Sequence, residues 1–68
     1  MVNANLLRAE WTKKGMSQKD VADILGITSK TMGVKLKKGV FLSNEIETLI
    51  QSLDIADPLP IFFAKNVT

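Results

Sequence analysis

From Ser17 to Met32 the chain reads Ser-Gln-Lys-Asp-Val-Ala-Asp-Ile-Leu-Gly-Ile-Thr-Ser-Lys-Thr-Met, an order of residues that constrains the fold more than any other stretch. Val21, Ala22 and Leu25 recur at helical spacing and face inward. Ser17 is an N-cap, and Asp20, three residues on, completes a capping box. Gly26 follows the last apolar residue, where a helix ends in a left-handed conformation that glycine adopts without strain. Ile27 plugs the turn into the core, and Thr28 caps a second helix. The pattern predicts helices over about 18–25 and 29–37, crossing closely at the small Ala22.

The remaining residues also read as helix, punctuated by glycine and proline. Ala4, Leu7 and Trp11 share a face of a helix over about 4–14 that Gly15 ends. Met32 and Leu36 form the inner stripe of the helix that begins after Thr28, and Gly39 closes it. Val40-Phe41-Leu42 is a short apolar connector expected to fold onto the core. Ile46, Leu49, Ile50 and Leu53 give a fourth helix, from Ser43 or Asn44, the clearest apolar stripe in the chain. Ile55 is a closing contact. Asp57-Pro58 reads as an N-cap followed by proline at the first helical position, with a last short turn through Phe62.

With 68 residues and no repeat or linker, the chain reads as a single domain, residues 1–68. It has neither histidine nor cysteine, so the commonest general base and the usual metal ligands are missing. No enzyme activity, metal or cofactor is expected. The apolar runs are too short to span a membrane, and the start lacks a signal-peptide pattern. A cytoplasmic protein with no membrane partner is expected. Net charge is only +2, but it is unevenly placed. Residues 1–42 carry eight basic groups against three acidic ones, net +5, and residues 43–68 carry Lys65 against four acidic ones, net −3. Such a basic front suits a polyanion; the plainer alternative is a solvated surface with uneven lysines.

Two helices around a tight turn, the second of them basic, is the arrangement of a helix-turn-helix, a scaffold that places its second helix in the DNA major groove. The outer face of that helix carries Lys30, Val34 and Lys37, with Gly33 beside them. Lys30 lies in the first turn, where the helix dipole disfavours a cation. Gly33 in mid-helix costs about 0.5–1 kcal/mol relative to alanine. Val34 points at solvent. Each is a poor choice for stability alone, and each suits a helix in a groove: Lys30 for guanine or phosphate, Gly33 for close approach, Val34 for a thymine methyl. Gln18 opens the preceding helix, where it can bind phosphate and brace the next helix. Thr28 and Ser29 complete the expected DNA-binding set, and Ser17, Lys19, Lys35 and Lys38 are candidate phosphate contacts. Trp11 reads as core. Of Phe62 and Phe63, one covers the core, and the other joins Ile61 in an apolar patch for a dimer or another partner.

The run from Gly15 to Thr28, with its Gly-Met-Ser-Gln opening, the alanine at 22 and the Leu-Gly-Ile turn, resembles the Cro/repressor class (XRE-type) of helix-turn-helix proteins. The resemblance extends from about Leu6 to Leu53. It implies an all-α, compact four- to five-helix bundle with a helix-turn-helix over about 17–38, a lambda-repressor-like DNA-binding domain. It also implies double-stranded DNA as partner, often bound by a homodimer on a near-palindromic site. The short length and the Ile-Phe-Phe ending look like a small phage-type regulator. Many members pair an arginine in helix one with a glutamate late in the recognition helix; Trp11 and Leu36 stand at those positions here, so an apolar contact is expected instead. Glutamines or asparagines early in the recognition helix are also missing, leaving Lys30 as the one strong polar reader. The expected function is sequence-specific transcriptional regulation. The alternative is an antirepressor-type module that binds a partner repressor rather than DNA.

Overall fold

The computed structural model describes residues 1–63. Five helices follow one another: α1 (Ala4–Lys13), α2 (Gln18–Leu25), α3 (Ser29–Lys38), α4 (Ser43–Ser52) and the single turn α5 (Leu59–Phe62). There is no strand among the described residues. The helices close into a compact all-α globule about a single core, and none is long and apolar enough to cross a membrane.

Local chemistry accounts for the helix ends. Asn3 caps α1 by accepting from the Leu6 N–H at 3.1 Å. In α2, the Ser17 hydroxyl accepts from the Asp20 N–H at 3.2 Å, and the Asp20 carboxylate accepts from the Ser17 N–H at 2.9 Å. Gly26 and Gly39 end α2 and α3 in the left-handed region, with φ of 71° and 68°. Asp54 takes φ 49° just beyond α4, a conformation that a short polar side chain tolerates better than most.

The apolar stripes then meet. Leu7 and Trp11 of α1, Val21 and Ala22 of α2, Met32 and Leu36 of α3, and Leu49 and Leu53 at the end of α4 are all buried. Trp11 and Leu36 lie in this same apolar cluster. Ile27, Ile46 and Ile50 are partly buried against it. Val2 is buried as well; its N–H donates to the Gly39 carbonyl at 2.9 Å, and the Asn3 N–H donates to the Ile61 carbonyl at 2.6 Å. The N-terminal residues thereby tie the end of α3 to α5.

Three expectations need correction. Within the connector only Phe41 reaches the core, while Val40 and Leu42 stay exposed, because an extended segment points alternate side chains to opposite sides. Asp57 does not cap α5: Pro58 holds the N-cap place without a side-chain bond, and Pro60 sits inside the first turn, where a missing N–H costs nothing. The third concerns the tail. Ile61 and Phe62 are both buried in the core, and of the three tail residues only Phe63 is exposed.

Candidate functional site

α3 is gripped along two flanks. On one, Gln18 at the start of α2 reaches across the turn, and its Nε2 donates to the Ser29 carbonyl at 2.9 Å and stands 3.5 Å from the Ser29 hydroxyl. Gly33 lies one turn further along the same flank. A methyl group on it would come within 3.3 Å of the Gln18 Nε2. The small residue in mid-helix therefore makes room for the glutamine, and close approach to a ligand is not needed to explain it.

On the other flank, Lys35 pairs with Glu45 of α4 at 3.1 Å. Glu45 is buried and also accepts from the Leu42 N–H at 2.8 Å, so one carboxylate caps α4 and holds α3. Lys35, expected among the phosphate contacts, is turned into this pair instead. The two residues come from different helices and lie ten positions apart, and nothing in their local sequence signals the pairing.

Between the flanks, successive residues at about 100° leave an outward arc of Lys30, Thr31, Val34, Lys37 and Lys38. All five are exposed, and α3 contains no acidic residue. Val34 at the centre is 46% exposed. The arc brings together the expected Lys30, Val34, Lys37 and Lys38. Thr31 was missed, although the same 100° step would have placed it beside Val34 and Lys38.

The hydroxyls and the α2 end are more committed than their positions suggest. Thr28 Oγ1 accepts from the Thr31 N–H at 3.1 Å and donates to Thr31 Oγ1 at 3.0 Å, so the cap uses its hydrogen-bonding capacity locally. At the start of α2 the Asp20 carboxylate occupies the first turn, its pKa held below the ordinary value by the hydrogen bonds from the Ser17 backbone and side chain. That negative charge opposes an anion at the same helix end. Lys19 sits 3.4 Å from Asp23 in an exposed pair that leaves its ammonium accessible to a stronger anion. Ser17 stays exposed, its oxygen accepting from Asp20.

Electrostatically the outward arc therefore holds three lysines, while Lys35 is matched by Glu45. Lys37 and Lys38 in the last turn are favoured by the helix dipole; Lys30 in the first is not. Among the described residues no cluster of acidic side chains could hold a metal ion. Compared with known proteins, the chain matches no protein-family model, no curated protein and no solved structure.

Proposed function

We propose that this chain is a sequence-specific DNA-binding transcriptional regulator, with α2 and α3 as a helix-turn-helix and α3 as the recognition helix. The observation that carries the reading is the setting of α3: Gln18 and Glu45 hold it from either side, and the arc left outward bears three lysines and no acid. The major groove, about 12 Å wide, admits such a helix. In this reading Lys30, Val34 and Ser29 meet base edges. Lys37, Lys38 and Lys19 hold phosphates, while Gln18 braces α3 through Ser29. One copy covers a half-site. The role is recognition, not catalysis.

A second reading is favoured by one specific feature. Val34 is an exposed apolar group at the centre of the arc, and it suits a protein surface as well as a thymine methyl. An antirepressor-type module would use this face on a partner repressor. Salt separates the two. Binding to a mixed-sequence duplex, followed by fluorescence anisotropy, should weaken with a log–log slope near −0.9 per phosphate neutralised, about −3 for the three lysines here. Lys37→Ala or Lys38→Ala should each reduce that slope by about one. No binding, or binding indifferent to salt, would move the assignment to a protein partner.

A further inference from the structure

Resting on the DNA reading of α3, we propose that Glu45 is a positioning residue for recognition: it pairs with Lys35, withholds that lysine from the phosphate backbone, and so keeps sequence-independent binding low. Of the three ion pairs among the described residues, this one alone joins two helices; Glu10–Lys13 and Lys19–Asp23 lie within α1 and α2. The side chains of Lys35 and Glu45 are 23% and 10% exposed, whereas those of Lys13 and Lys19 are 67% and 77%. Solvent and salt screen the Lys35 pair far less than the other two.

The carboxylate is also anchored. Glu45 Oε1 accepts from the Leu42 N–H at 2.8 Å, and the same atom faces Lys35 Nζ at 3.1 Å. Turning it away from the lysine would give up the cap of α4, so a passing phosphate does not readily displace it.

The place of Lys35 on α3 makes the pairing matter. At about 100° per residue it stands about 40° round the helix from Thr31 and about 60° from Lys38, at the edge of the outward arc. Its flexible four-carbon stem would bring a released ammonium alongside that of Lys38. An apolar pair could tie α3 to α4 without desolvating two charges. What the ion pair adds is the removal of one of the four lysines of α3 from the face that meets DNA. Lysine–phosphate contacts supply essentially all sequence-independent binding, and one more contact strengthens it about 8-fold at about 0.1 M salt. Discrimination is the ratio of specific to non-specific affinity, so an unmasked Lys35 erodes it.

The test compares the wild type, Glu45→Gln, and Glu45→Gln combined with Lys35→Met. The glutamine keeps a side-chain oxygen for the Leu42 N–H and loses the charge. Binding to a mixed-sequence duplex and to heparin is followed across a salt series, with circular dichroism confirming the fold. On the duplex, Glu45→Gln should steepen the slope from about −3 to about −4, and the double variant should return to the wild-type slope. A general loosening of the fold would persist in the double variant; release of Lys35 cannot. A folded Glu45→Gln protein with the wild-type slope, or a steeper slope retained in the double variant, would overturn the proposal. A wild type that binds no duplex would contradict the DNA reading instead, and the same comparison on heparin then decides whether Glu45 masks Lys35. Should Glu45→Gln fail to fold, limited acetylation of the wild type, read by mass spectrometry, decides it. Lys35 should react roughly 5-fold or more slowly than Lys37 and Lys38, and equal rates would overturn the proposal.

Discussion

Gln18 and Gly33 are fitted to one another across the α2–α3 turn: a methyl group on residue 33 would stand 3.3 Å from the glutamine Nε2, a tight contact. Helix propensity alone favours alanine at 33 by about 0.5–1 kcal/mol, and the contact opposes that gain. Gly33→Ala should therefore stabilise the wild type by less than it stabilises a Gln18→Ala background. Urea denaturation of the four proteins in a double-mutant cycle measures the difference. Equal gains in both backgrounds would mean that the glutamine moves aside without loss.

Glu45 serves two helices at once, and its loss should be felt twice. Glu45→Ala removes the cap on the Leu42 N–H and leaves Lys35, which is largely shielded from water, without its partner. A destabilisation of about 2–4 kcal/mol is expected. Lys35→Met keeps the cap and should cost distinctly less. Chemical denaturation of both variants tests the ranking.

Much of the helical layout was legible in the sequence because caps are local. Ser17 with Asp20, Gly26, Thr28 and Gly39 each act within a few residues of themselves, and the structure has them in the expected places. The Asn3 cap was equally local, an asparagine just before the first helical residue, and was overlooked. What could not be read depends on tertiary packing. Whether Ile61, Phe62 or Phe63 faces the core is set by the direction in which α5 crosses α1. The fate of Lys35 is set by where α4 returns. At the candidate site, the outward set Lys30, Val34, Lys37 and Lys38 followed from periodicity, whereas the engagement of Gln18 with Ser29 fixes how much of that glutamine is left for a ligand.

The glycines that end helices should differ in tolerance. All three take positive φ, but a methyl group on Gly15 or Gly26 would meet nothing within 4 Å, whereas on Gly39 it would stand 2.7 Å from Met1 Cγ and 3.2 Å from the Val2 carbonyl oxygen. Gly26→Ala carries the backbone strain alone, about 1 kcal/mol. Gly39→Ala adds displacement of the N-terminal residues and should cost about 2–3 kcal/mol. Thermal melts of the two variants check the order.

Acid should weaken the fold through the α2 cap. The Asp20 pKa is lowered in the folded protein from 3.8 by the hydrogen bonds from Ser17. A carboxylate with a depressed folded pKa stabilises fully above its unfolded value, and that contribution is lost as pH falls through the folded one. Stability should thus decline below about pH 4, and Asp20→Asn should flatten part of that decline. Denaturation midpoints recorded across the acid range for both proteins decide the matter.

The central claim is that the outward arc of α3 reads DNA. Selection of bound duplexes from a random pool at moderate salt, run in parallel with the wild type and Lys30→Ala, tests it most directly. The account predicts an enriched motif for the wild type. For the variant it predicts a loss of roughly 1–3 kcal/mol on that motif, with relaxed preference at one base position. Failure to enrich any motif, or enrichment unchanged by the substitution, would contradict it.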